Sequence, residues 1–254
     1  MTKSLLQQIM IKPDKVAPPA FNVDGMIEKI QDGYIVDRLP KFQQKKSFAP
    51  SSITYSDGQG VCARYWYIAF DGATFEDFSS PFSVANMDSG TLSHGRIQSA
   101  MAKSGVLKDS EFKLIHDDPP IFGYVDALME WNDEEIVGEI KTTNNDSFEY
   151  RKKVNKPKSD HIEQVLIYMK LLGKQKGLII YENKNNHELL VFPVEVSDNY
   201  RAWVDYAFNW MRDVRKSWEN KNILLDGMLP KALGINPLYK FFILNSYINF
   251  HINL

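Results

Sequence analysis

Asp126 and Glu139 each lie in an otherwise apolar stretch, IFGYVDALMEW and IVGEIKTT, and Lys141 follows Glu139 by two positions. Charged groups on apolar strands are costly unless they are paired or hold a metal. Two such carboxylates suit a hard divalent cation, which takes oxygen ligands. Mg²⁺ or Mn²⁺ held there would polarise a phosphate and lower the pKa of a bound water, the two requirements for cutting a phosphodiester. A lysine alongside can orient that water or neutralise charge as it develops. Positions two apart in a strand share a face, so Glu139 and Lys141 point together while Ile140 points into the core.

Glu-x-Lys alone carries little weight. The chain holds it at Glu111, Glu139, Glu182 and Glu219, against about one copy expected by chance. An isolated copy is ordinarily a surface charge pair, and the apolar context of Glu139 sets that copy apart. Gln164 and Tyr168 are four apart and share one helical face. Read singly, Tyr168 is a core residue and Gln164 an exposed helix position. His94 falls in a helical stretch, where a lone histidine is more often structural than a ligand.

Positioning these groups falls to three predicted strands, 111–116, 121–131 and 136–142, punctuated by Pro119-Pro120 and Asn132-Asp133. The short Asn132-Asp133 connection predicts a hairpin that sets Asp126 beside Glu139. Before the strands, 83–104 reads as a helix carrying His94. Ser51-Ser52 reads as the N-cap region of an earlier helical stretch, 53–70, that Gly58 and Gly60 interrupt. Residues 143–158 are polar and basic and read as a loop. Ser159 or Asp160 caps the helix HIEQVLIYMKLLG, closed by Gly173. Residues 178–181 and 189–194 predict a hairpin around 183–186. A long helix over 198–221 follows, with Trp203, Trp210, Val214 and Trp218 on a core stripe.

The succession GYVDAL, GEIKT and a helix bearing Gln164-Val-Leu-Ile-Tyr168 resembles the PD-(D/E)XK nuclease superfamily. The Q-x-x-x-Y spacing is similar to that of its RecB-like exonuclease branch, which includes CRISPR-associated and phage exonucleases. The segment Leu92-Ser93-His94-Gly95-Arg96-Ile97 is similar to the helical histidine motif of that branch. The resemblance spans roughly residues 50–220. It implies an α/β restriction-endonuclease-like core, a mixed central sheet of about five strands flanked by helices. It further implies a metal held by His94, Asp126, Glu139 and the backbone carbonyl of Ile140. Lys141 would position the water, and Gln164 and Tyr168 would orient Lys141, the water or the DNA backbone. Imidazole suits Mn²⁺ better than Mg²⁺. The segment from Cys62 to Tyr67 is similar to the Cys-x-x-Arg element of iron–sulfur members, which add three C-terminal cysteines to complete the cluster. Cys62 is the only cysteine, so no iron–sulfur cluster is expected and Cys62 is expected to be a small buried residue.

Composition sets the frame for this reading. Of 254 residues, 44% are hydrophobic and 24% charged, which fits a folded domain. The net charge of −2 counts mildly against a nucleic-acid binder, but basic residues cluster. Arg151, Lys152, Lys153, Lys156 and Lys158 form a basic loop beside the expected site, a candidate clamp on the DNA backbone, with Arg64 and Lys184 as weaker candidates. No long apolar run or signal peptide is evident, so a cytoplasmic protein is expected, and the resemblance implies a bacterium or phage-infected cell. Residues 1–50 read as an arm with a short helical start and 51–225 as the nuclease domain. Residues 226–254 read as a tail of unassigned structure. No phosphate-binding G-x-x-x-x-G-K-S/T loop, G-x-S-x-G elbow or H-E-x-x-H pair is present. The expectation is a Mg²⁺- or Mn²⁺-dependent exonuclease acting on DNA ends in recombination, repair or phage DNA processing, with a possible helicase or recombination partner. The alternatives are an endonuclease of the same chemistry and a catalytically silent DNA-binding protein of the same fold. Oligomeric state is left open.

Overall fold

A computed structural model describes residues 22–36, 44–53, 61–73, 80–221 and 228–229. In chain order its elements are α1 (Val23–Ile35), α2 (Pro50–Ile53), β1 (Val61–Cys62), α3 (Ala63–Phe70), α4 (Pro81–Lys103), β2 (Leu107–His116), β3 (Ile121–Trp131), β4 (Glu134–Thr143), α5 (Asn145–Val154), α6 (Ser159–Leu172), β5 (Lys176–Asn183), β6 (Leu189–Glu195), α7 (Asp198–Glu219) and β7 (Met228–Leu229). The chain divides into two units, Met1–Lys41 with Glu76–Asp88, and Phe42–Phe75 with Ser89–Leu254. The smaller unit contains α1, which Asn22 caps by accepting from Gly25 N–H. This helix lies where the sequence reads as an irregular arm. The short helical start of that arm and the tail from residue 232 lie outside the described residues.

The larger unit is built on a five-stranded sheet in the order β2-β3-β4-β5-β6. β2, β3 and β4 form an antiparallel meander. Asn132 and Asp133 make its second turn with φ of 52° and 61°. Two left-handed residues give a turn whose twist matches that of the flanking strands. β4 and β5 are parallel, and parallel neighbours require a crossover, which α5 and α6 provide. β6 returns antiparallel to β5 and carries Pro193 opposite Leu178. An outer strand tolerates proline because the missing N–H faces away from the partner. The expected mixed α/β architecture is therefore observed.

Helices cover both faces. Val165, Leu166 and Met169 of α6 and Trp203, Ala207 and Met211 of α7 pack with Val125, Val137 and Ile179 of the sheet. On the opposite face Ile97 and Met101 of α4 pack with Ala127, Met129, Ile136, Ile140 and Ile180. The predicted Trp203, Trp210 and Val214 stripe is buried and Trp218 is packed against it.

Several local expectations need correction. Residues 143–158 are not a loop throughout, because α5 occupies 145–154. Asn144 accepts from Ser147 N–H at its start, Asn155 ends it at φ 49°, and buried Phe148 anchors it. Basic residues in its last turn complement the helix dipole. α6 is capped at Lys158, without a side-chain bond, rather than by Ser159 or Asp160. Cys62 is exposed, not buried. It follows Val61 in β1, and since Val61 faces inward, strand alternation turns Cys62 out.

Candidate active site

The register of β3 with β4 runs from Trp131↔Glu134 to Ala127↔Gly138. The next residues are Asp126 and Glu139, so both stand where the strands part. Asp126 spans the gap, its Oδ2 accepting from Ile140 N–H at 2.7 Å. Val125 packs in the α6–α7 core while Ala127 packs in the α4 core, so period-two alternation is interrupted at Asp126. Across from it on β2, Glu111 lies between the pairs Ser110↔Ala127 and Phe112↔Val125. Glu111 has φ 51°, a left-handed conformation that costs a non-glycine residue ~1–3 kcal/mol.

α4 brings His94 over this fork. Its Nδ1 is 3.7 Å from Asp126 Oδ1. One donor atom from each of His94, Glu111 and Asp126 lies within 4.8 Å of the others. One turn along α4, the Gln98 amide bridges Glu111 Oε1 at 2.8 Å and the Asp126 carbonyl at 2.9 Å. Glu139 stands outside that trio, fully buried, with Oε1 2.5 Å from Lys141 Nζ. That contact is a close ion pair rather than a well-directed hydrogen bond, and neither Glu139 oxygen has a hydrogen-bond partner. Among the described residues, the expected set is thus split into His94 with Asp126 and an adjoining Glu139–Lys141 pair. Glu111 joins the first group.

Electrostatics follow from this burial. Desolvation raises the Glu139 pKa, opposed by the Lys141 ammonium and reinforced by Asp126. Desolvation likewise raises the Asp126 pKa, opposed by His94, Lys141 and the Ile140 N–H. Burial pushes Lys141 down, but Glu139 and Asp126 outweigh it and hold the ammonium above its ordinary value. Glu139 Oε2, buried without a hydrogen-bond partner, is costly to desolvate. An imidazole, carboxylates and an unsatisfied buried carboxylate fit a divalent cation.

α6 lines the other side of the fork. His161, Gln164 and Tyr168 recur at helical spacing, and Gln164 is buried rather than exposed. Tyr168 Oη donates to the Tyr124 carbonyl at 2.8 Å, and Gln164 Nε2 donates to Tyr168 Oη at 3.4 Å. Gly123 makes room for this contact, since a Cβ there would lie 3.3 Å from Tyr168 Oη and 3.0 Å from Pro50 Cδ. Tyr168 thereby fixes the strand two residues before Asp126. His161 Nδ1 is 2.6 Å from Tyr181 Oη, and Tyr181 Oη accepts from Lys158 N–H at 3.0 Å.

The basic candidates divide. Lys153, Lys156, Lys158 and Arg64 are exposed. Lys152 pairs with Glu188 at 2.6 Å. Arg151 stacks over Tyr150 at 5.0 Å, with its Nε buried. Lys184 is half-buried and its backbone N–H donates to the Thr143 carbonyl at 2.8 Å. Sequence reasoning missed Glu111 and Gln98. Gln98 is four residues after His94, which was a readable signal. Glu111 had none beyond its Glu-x-Lys context, since a left-handed residue inside a strand carries no signature.

No protein-family model and no curated protein matches the sequence. Solved structures do match in shape. The alkaline exonuclease LHK-Exo from Laribacter hongkongensis is 16% identical, with a TM-score of 0.51 over 75% of this chain and 95% of that one. LHK-Exo in complex with dAMP gives 17% identity and a TM-score of 0.51 over 69% of this chain and 89% of that one. The protein therefore shares the nuclease-like α/β fold of that exonuclease.

Proposed function

We propose that the protein is a metal-dependent deoxyribonuclease that hydrolyses phosphodiester bonds from DNA ends. The observation that carries this reading is the fork between β3 and β4, where a buried, unsatisfied Glu139 and a bridging Asp126 meet an imidazole and an ammonium. The shared fold with an exonuclease solved in complex with dAMP supports it. In this reading His94, Asp126, Glu139 and the Ile140 carbonyl hold the cation. When bound, the cation polarises the scissile phosphate and lowers the pKa of water. Lys141, kept cationic by Glu139 and Asp126, orients the attacking water and offsets charge on the phosphoryl oxygens. Tyr168 and Gln164 keep β3 in place behind Asp126. Lys153, Lys156 and Lys158 at the end of α5, with Arg64, attract the phosphate backbone, and Arg151, Lys152 and Lys184 shape that basic edge.

The test is digestion of end-labelled single- and double-stranded DNA with Mg²⁺, Mn²⁺ or chelator. Metal-supported release of nucleotides is expected, with Mn²⁺ at least as effective as Mg²⁺. Glu139→Gln and Lys141→Ala should each lower the single-turnover rate by at least about 100-fold. Cleavage that survives chelator or the Glu139→Gln change overturns the reading. Opening of a closed DNA circle would reassign the protein as an endonuclease.

A further inference from the structure

Glu111 is unusual on two counts, its left-handed backbone within a strand and its place opposite Asp126. The two flanking pairs, Ser110↔Ala127 and Phe112↔Val125, keep their register. The distortion therefore redirects one side chain and interrupts the ladder only between those two pairs. Its carboxylate is exposed, yet it is held by the nearly buried Gln98 amide at 2.8 Å. The same amide holds the Asp126 carbonyl at 2.9 Å. α4 thus presents a donor, His94, and one turn later an amide that ties the two opposed strand residues together.

Ligand atoms of a Mg²⁺- or Mn²⁺-sized ion with bonds of about 2.1 Å lie about 3.0 Å apart when adjacent and about 4.2 Å when opposite. One donor atom from each of His94, Glu111 and Asp126 lies within 4.8 Å of the others, so a small inward turn of the side chains would close them on such an ion. Charge points the same way. Glu111, Asp126 and Glu139 face one ammonium, Lys141, which leaves two formal negative charges when all are ionised. Arg96 does not offset them, because it is engaged with Glu182 at 2.6 Å. Glu139 provides a second sign of a ligand, being fully buried, with Oε1 met by Lys141 Nζ at 2.5 Å and Oε2 left without a hydrogen-bond partner.

We infer that Glu111 is a direct ligand of the divalent cation, completing with His94 and Asp126 a three-donor set that Gln98 holds in place. Glu139, paired with Lys141, would adjoin this set as a further ligand. This rests on the metal-dependent reading of the same site, but makes its own demand. The carboxylate on β2 is as necessary for metal binding as those on β3 and β4.

Mn²⁺ titration of the full chain, followed by the electron paramagnetic resonance signal of free ion and by melting temperature, tests this without an activity readout. The wild type should bind Mn²⁺ and melt higher with it. Glu111→Gln, which preserves size and can still accept from Gln98, should keep the metal-free melting temperature but weaken Mn²⁺ at least tenfold. Glu111→Gly suits the left-handed backbone and removes the carboxylate, so it should show the same loss if the Gln variant folds poorly. Wild-type Mn²⁺ affinity in either folded variant overturns the role of Glu111 while leaving the nuclease reading intact. Absence of Mn²⁺ binding in the wild type removes both.

Discussion

His161 and Glu139 face the same fork with opposite demands on protons. Burial pushes the His161 imidazole down to about 3, with Lys141 adding to the effect. The imidazole is therefore neutral, and the arrangement that satisfies Tyr181 Oη has it donating to Nδ1 while accepting from Lys158 N–H. A folded pKa below the unfolded value means that only the unfolded chain takes up a proton as pH falls below the ordinary 6.5. Stability from this group is complete above that value and is lost on acidification towards the folded one. Between pH 7 and 5 the wild type should lose about 1–2 kcal/mol more than His161→Gln, read from urea midpoints at both pH values. Parallel losses would mean that His161 is hydrated. At this scale the sequence was informative where types were rare in their context. Asp126, Glu139 and Lys141 stood out against apolar neighbours, and His94 and Gln164 by spacing. Glu111 did not, because backbone conformation redirects it, and Cys62 was misjudged because alternation, not residue type, decides its exposure.

At the scale of elements, α6 and β5 are joined by close packing at Gly177. A Cβ there would fall 2.5 Å from Val165 Cγ1 and 2.9 Å from Met169 Sδ. Gly177→Ala should therefore overpack the core and destabilise the protein by ~1–3 kcal/mol, measured by urea denaturation. Because α6 carries Gln164 and Tyr168, the variant should also lose rate at a fixed temperature where it is still folded. An unchanged midpoint would show that α6 yields without strain. The strands were readable from apolar runs and turn residues, and β3 and its Asn132-Asp133 turn appear where expected. α5 was missed because it buries one large side chain, Phe148, and is otherwise polar. Its Asn144 cap and its basic end were present in the sequence, but hydrophobic periodicity outweighed them. The hairpin of β5 and β6 also secures this helix. Asn185 Oδ1 accepts from Asn145 N–H at 3.0 Å, and Asn183 Nδ2 donates to Asn145 Oδ1 at 2.9 Å.

At the scale of the whole molecule, composition identified a folded domain. The β3–β4 hairpin was readable from its tight turn, while the order β2-β3-β4-β5-β6 was not read from the sequence, because the long connection between β4 and β5 carries no register signal. The site lies on the inner strands β3 and β4 and on β2, away from the outer strand β6. That outer strand has Leu189 and Val191 exposed, and Pro193 follows them. A row of free amide donors beside exposed aliphatic side chains is a template for another chain to add itself. Among the described residues no strand pairs with the outer side of β6, and Pro193 breaks that row, so it acts as a guard against strand-by-strand growth of one molecule on the next. Pro193→Thr should restore a continuous template, and sedimentation velocity should then show concentration-dependent self-association beyond that of the wild type, while cleavage by the dissociated protein stays the same.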